Sequence, residues 1–386
     1  MPAEPLDDTL VRLQETALRA VAPHAETTDQ HARWPAEGLR ALLDARLGGL
    51  VLPESVGGLG HGLFGTLRAT ETLGQHCASA AMCFGMHVVG SAVLAAKATP
   101  HQARGVLEPI ARGRHLTTLA ASEPGTGSLF YVPQTRVRRS GEGYLVNGTK
   151  SFVTNGSHAH SYVITGASED ADAGPGQFSC FLLPADAPGL SWKEDWQGVG
   201  MRGNSSRTMR LDDVPLPREA LLGDEGDQTW YVFHVIAPYF LVAMAGTYIG
   251  LSQAALDAAR DHLRERRHGH SGLALSANPI LQHRLGGLWA ALERARRLCY
   301  YAAEQGETNG PDAMPALLSA KAEAAEMAVR LTNECMTLLG GLGYAQGGRL
   351  DRHLRDARAG PVMAPTTDIL RTWTGRWLLG EPLLSG

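Results

Sequence analysis

The sequence predicts an α+β multidomain protein of 386 residues, built as an N-terminal α-helical domain, a middle β-barrel or sandwich domain and a C-terminal helical domain. Three observations carry this reading. Apolar residues recur at helical spacing from Leu10 to about Arg114, the period changes to two near Thr117, and the helical period returns near Gly226 and persists to Leu379. The expected units are residues 1–115, 116–226 and 227–386, since a chain of this length outgrows a single core.

In the first unit Leu13, Ala17, Ala20 and Val21, then Leu39, Leu42 and Leu43, then Leu67, Thr70, Leu73 and Gly74 mark successive amphipathic helices. The run Gly57-Gly-Leu-Gly-His-Gly62 reads as a loop between two of them. In the second unit, strands are expected at Leu116–Ala120, Thr135–Arg139, Tyr144–Val146, Ser161–Thr165, Phe178–Leu183 and Thr208–Leu211, with Ser140-Gly-Glu-Gly143 as a hairpin connection. In the third, Pro311 and Pro315 mark a helix start and Gly340-Gly-Leu-Gly343 a break. The apolar run Val235–Leu251 is shorter than the ~20 residues a membrane span needs and reads as a buried bundle helix.

Composition narrows the function classes. With 44% hydrophobic residues the chain is globular, and a net charge of -4 predicts neither nucleic-acid nor membrane binding. Cys77, Cys83, Cys180, Cys299 and Cys335 are scattered and never in a CxxC spacing, which points away from zinc and disulfides and toward a reducing cytoplasm. The N-terminal residues lack the pattern of an export signal. His262, His268, His270 and His283 sit among arginines, whose charge repels a divalent cation, so no metal is expected. Gly198-Val-Gly-Met-Arg-Gly203 matches GxGxxG in form only, because a strand rather than a helix is expected after it.

Two segments carry the chemistry. Ala121-Ser-Glu-Pro-Gly-Thr-Gly-Ser128 is a strand running into a tight turn that presents backbone N–H groups and small hydroxyls together. Asn147-Gly-Thr-Lys-Ser-Phe-Val-Thr-Asn-Gly156 feeds a strand with Phe152 and Thr154 two residues apart, hence on one face. Backbone donors, an aromatic wall and a hydroxyl suit a flat heterocycle with polar edges.

With these segments, Pro53–Gly60, Gly200-Met-Arg202 running to Asp212-Asp-Val-Pro215, Leu339–Tyr344 and Arg355-Asp-Ala357, the chain resembles the acyl-CoA dehydrogenase superfamily from end to end. The resemblance implies a C-terminal four-helix bundle, an FAD between the β-domain and that bundle, and a homotetramer or homodimer. It implies that Ser122 and Ser128 bond the flavin pyrimidine, with Ser128 also lining the thioester channel. Phe152 would flank the flavin and the Thr154 hydroxyl meet its N5. Arg266 would reach the pyrophosphate of a neighbouring subunit's FAD, although Gly269-His270 replaces the family's Phe-Gly. Gly340, Gly341 and Thr366 would contact the adenosine half, and Asp368 replaces a family glutamine.

The resemblance fails at one point. The family's base is a glutamate, and of the two positions known for it one holds Ala364 and the other falls on Phe240 and Leu241, side chains that accept no proton; Ala364 and Phe240 would line the substrate space. Tyr239 and Asp368 are the nearest candidate replacements, with His87 and His234 more distant. Three readings follow: an oxidoreductase of acyl-CoA or acyl-carrier-protein thioesters in specialised metabolism, with a non-standard base or none; a flavin monooxygenase on the same fold; and a catalytically idle FAD-binding scaffold. Each active reading requires a separate electron acceptor or flavin reductase.

Overall fold

The fold is given by a computed structural model, which describes residues 4–127, 129–170 and 177–384. The N-terminal helices are α1 (Leu6–Thr16), α2 (Ala25–Gln30), α3 (Ala36–Asp44), α4 (Leu63–Gly74), α5 (Ala78–Ala96), α6 (Pro100–Gln102) and α7 (Glu108–Ala111). α5 is apolar on all sides and is accordingly buried on all sides. Met82 and Met86 belong to the core shared with the C-terminal helices, whereas Cys83, Phe84 and Val88 belong to the core shared with the sheet. α6 begins in a reciprocal cap, with the Thr99 hydroxyl accepting from Gln102 N–H and the Gln102 side chain accepting from Thr99 N–H.

The middle unit is an eight-stranded sheet: β1 (Thr117–Ala120), β2 (Arg136–Ser140), β3 (Gly143–Val153), β4 (Ser161–Ser168), β5 (Phe178–Pro184), β6 (Leu190–Trp192), β7 (Arg207–Pro217) and β8 (Leu221–Leu222). Their order is β6-β7-β3-β2-β4-β5-β8, with β1 parallel to β4. The β2–β3 hairpin pairs Ser140 with Gly143 across Gly141-Glu142. The six strands expected from alternation are present, and the short β6 and β8 are additional. β3 and β7 pair antiparallel, with a register shift between Lys150 and Val153 that twists the end of β3.

The third unit comprises α8 (Gln228–Tyr231), α9 (Ala237–Glu265), α10 (Pro279–Thr308), α11 (Ala313–Leu339), α12 (Arg349–Val362) and α13 (Thr367–Leu379). α10 opens on an Asn278 side chain that accepts from Ile280 N–H, with Pro279 in the first turn, and closes on Asn309 in the left-handed region. α9 packs closely on α4 because Gly250 has no side chain: a Cβ there would lie 2.0 Å from Glu71 O.

One expectation needs correcting. Among the described residues, Ala78–Ala96 and Gln228–Glu265 are both long and apolar enough to cross a bilayer, whereas the longest apolar run read from the sequence is the shorter Val235–Leu251. Most of both is buried inside the protein. All five cysteines are buried free thiols.

Candidate active site

A cavity of about 840 Å³ opens where the sheet meets α5, α9 and α12. One wall is the turn after β1, with Ser122, Gly125 and Gly127 facing the space. The backbone is left-handed at Gly125 and Gly127, with φ of 85° and 53°, a conformation that glycine adopts without a steric penalty. Ser151 N–H donates to Ser122 O at 2.8 Å, which ties the turn to β3. Glu123, beneath it, accepts from Lys150 Nζ through one oxygen and from Gln134 and Thr135 N–H through the other.

The second wall is the end of β3. Phe152 and Thr154 both line the cavity, but simple alternation does not put them there. The register shift forces Phe152 to a φ of 55°, an unusual conformation for a bulky residue, and turns its ring to the mouth, where it is 66% exposed. Trp196 meets that ring edge-on at 6.1 Å and donates through Nε1 to Met201 O. Thr154 lies past the strand end, buried, with its hydroxyl 3.2 Å from Ser206 Oγ. Asn204 also lines the cavity, and its buried Oδ1 has no partner among the described residues.

The third wall is α12 and the segment after it, with Arg358, Met363, Ala364 and Thr366, faced by Phe240 from α9. Gly200 lets the sheet loop reach α12, since a Cβ there would lie 2.0 Å from Arg355 O. The contact is latched by Met201 N–H donating to Asp356 at 2.7 Å, while burial raises the Asp356 pKa to about 6. Arg355 grips Asp29 of α2 through two nitrogens, at 2.8 and 2.6 Å.

The structure thus gathers Ser122, Phe152, Thr154, Phe240, Ala364 and Thr366 around one space. Ser128 lies outside the described residues. Tyr239 and Asp368 do not line the cavity. Tyr239 packs against both cores, where burial pushes its phenol up to about 12, and Asp368 is exposed in the first turn of α13. His87 is engaged with Gly48 O and the backbone of Thr117, and burial pulls its pKa down to about 4. His234 is exposed and stacked on Trp230. Arg266, Gly340 and Gly341 are exposed. At 1.5 Å rise per residue along α9, Arg266 lies about 39 Å from Phe240, too far to serve the same cavity.

Some cavity and wall residues are not legible from the sequence alone. Glu123 and Lys150 fall within the matching segments, yet only the structure shows them paired. Arg358 stands three residues after Arg355, and this spacing alone could have placed both on one helix face. Asn204 has no such signal.

Residues 9–114, 118–214 and 241–379 match the N-terminal, middle and C-terminal domain models of acyl-CoA dehydrogenase. The chain belongs to the acyl-CoA dehydrogenase family. It is 30% identical over 368 residues to a probable acyl-CoA dehydrogenase of Bacillus subtilis, covering 95% of this chain and 96% of the relative. Against cyclohex-1-ene-1-carbonyl-CoA dehydrogenase of Geobacter metallireducens it is 32% identical over 374 residues, with 96% and 97% covered. The solved butyryl-CoA dehydrogenase of Megasphaera elsdenii shares the fold, with a TM-score of 0.90 at 24% identity over 98% of this chain and all of that one. Members of the family are FAD-dependent oxidoreductases, and this chain is an enzyme of that type.

Proposed function

We propose that the protein oxidises an acyl thioester carried by coenzyme A or an acyl carrier protein, using FAD, without a carboxylate base. The carrying observation is that Ala364 and Phe240 both line the cavity, while the one carboxylate among the described lining residues, Glu123, is spent on Lys150 and two backbone amides.

The residues fit a flavin. The cavity volume is within the range of cofactor sites, Gly125 and Gly127 leave room for close approach, and the unpartnered Asn204 Oδ1 offers an acceptor. Bound FAD would supply a two-electron acceptor. The turn at Ser122–Gly127 and the Thr154 hydroxyl would hold its polar edges, and Phe152 with Trp196 would cover its aromatic face. Val362 and Met363 would add apolar surface for the acyl group.

Ordinary thioester α-protons are weakly acidic and need a positioned base. A wall of Ala364 therefore favours substrates whose departing proton sits on oxygen, such as a hydroxyacyl group, where solvent can take it. Arg266, Gly340 and Gly341, exposed and outside the lining of their own cavity, would complete the cofactor site of a second copy in a homotetramer or homodimer. A separate electron acceptor would be needed to take the electrons from bound FAD. Buried free thiols suit a reducing cytoplasm, and the departure from the usual base suits specialised metabolism.

A second reading, a flavin monooxygenase fed by a separate reductase, is favoured by the space that Ala364 leaves beside the cavity. The test is anaerobic bleaching of the flavin by panels of acyl-CoA and acyl-carrier-protein thioesters. Bleaching by a thioester supports the oxidoreductase. Reduction only by an external reductase, followed by appearance of oxygen in the product, overturns it in favour of the monooxygenase. A flavin reduced by neither would identify an idle scaffold.

A further inference from the structure

α12 ends at Val362, and the chain leaves it extended at Met363, so the last carbonyls of the helix lack the amides that a continuing turn would bring. Lys321, just over two turns into α11, supplies what is missing. Its side chain is fully buried, and Nζ donates to the carbonyls of Gly360 at 2.9 Å, Met363 at 2.9 Å and Pro365 at 2.8 Å. An ammonium has three donors, and all three are used. No carboxylate pairs with it among the described residues, so the partial negative charge at the end of α12 is its counterpart.

Burying an ammonium is costly unless every proton is bonded. The chain otherwise avoids the residue type: Lys97, Lys150, Lys193 and Lys321 are its only lysines against a Lys plus Arg count of 35. Lysine is kept here where a compact charge with tetrahedral donors is needed, a shape that the flat guanidinium fork does not match. The carbonyls it gathers lie on either side of Ala364, in the segment Met363–Thr366 that faces the cavity. Lys321 does not line the cavity, and its Nζ is turned toward three backbone carbonyls, so it is not a replacement base.

We propose that Lys321 is a positioning residue whose ammonium fixes the Met363–Thr366 wall against which the flavin and the acyl group are held. Its bearing on FAD rests on the function proposed above; its bearing on the wall does not. Burial pulls the Lys321 pKa down to about 7, so near neutrality the clamp loses a proton and with it one of its three bonds. On the elements packed around it, Tyr248 of α9 and Cys299 of α10 are pushed far above this range by burial. Asp356 of α12, at about 6, is held by Met201 N–H, while Glu323 and Glu326 pair with Arg371 of α13.

The experiment is hydrogen exchange of the apoprotein, read on peptides covering residues 360–370, together with FAD titration, for the wild type and Lys321→Met. After correction for the intrinsic rate, wild-type exchange in this segment should accelerate about tenfold between about pH 6 and about pH 8.5, with the sheet unaffected. Lys321→Met should be fast and independent of pH in the same peptides, and should bind FAD about tenfold more weakly at the lower pH. A variant with wild-type protection and affinity overturns the proposal. So does wild-type protection that stays flat across the pH range, a measurement that decides the matter even if the variant does not fold. A protein that binds FAD yet is bleached by no thioester would sink the oxidoreductase reading and leave the clamp standing.

Discussion

Glu123 and Lys150 form an ion pair that is almost wholly shut off from water, joining the turn after β1 to the strand that displays Phe152. Lys150 Nζ also donates to Thr165 through both its carbonyl and its hydroxyl, so one cation braces β3, β4 and the cofactor turn together. Lys150→Met leaves a buried carboxylate uncompensated and should cost about 3–5 kcal/mol in urea unfolding. Adding Glu123→Gln should recover part of that loss. If the single variant unfolds like the wild type, the pair does not brace the turn.

Ala364→Glu places a carboxylate on the wall, at the position that the resemblance assigns to the family's base. If the rest of the cavity is intact, bleaching by simple saturated acyl-CoA should rise about a hundredfold, the usual contribution of a positioned base. Stopped-flow traces would show this directly. Unchanged traces would mean that the acyl group lies elsewhere.

Asn155 ties the N-terminal helices to the sheet. It accepts from Trp34 Nε1 and donates to Cys83 O, both at 2.9 Å, with a backbone φ of 61°. Asn155→Ala strands both partners and should lower stability by about 2–3 kcal/mol. Asn155→Gly strands the same groups but relieves the left-handed backbone, and should be about 1 kcal/mol less harmful than alanine. Equal thermal midpoints for the two would remove the backbone contribution.

Acid should weaken the fold through its buried imidazoles. Burial pulls His87 and His115 down to about 4, whereas an unfolded chain protonates them near the ordinary value of about 6.5. Between those values the unfolded state binds more protons, so stability falls as pH is lowered through the window and is intact above it. His87 alone would account for a loss of about 3 kcal/mol across it. Urea midpoints at several pH values, compared with those of His87→Gln, would show a shallower acid dependence in the variant.

The order of helical and β units is legible because periods of 3.6 and 2 are local properties, and Leu67 or Val163 obeys them whatever lies nearby. Ala364 and Phe240 are legible as cavity residues only through family resemblance, since nothing local marks an alanine as a missing base. Phe152 shows the limit of pattern: a strand period predicts its face, but a register shift and a positive φ put it there. Lys321 is 39 residues or more from every carbonyl it binds, so only the packing of α11 on α12 could reveal its partners.

The five thiols have a practical corollary. Each is buried, and burial raises all five away from the thiolate form, Cys180 and Cys335 to about 12. An alkylating reagent therefore meets no reactive sulfur on the native surface and must wait for the chain to open. Cys83 and Cys180 sit in the helix–sheet half and Cys299 and Cys335 in the bundle. Peptide-resolved labelling would therefore time, site by site, which half of the molecule comes apart first.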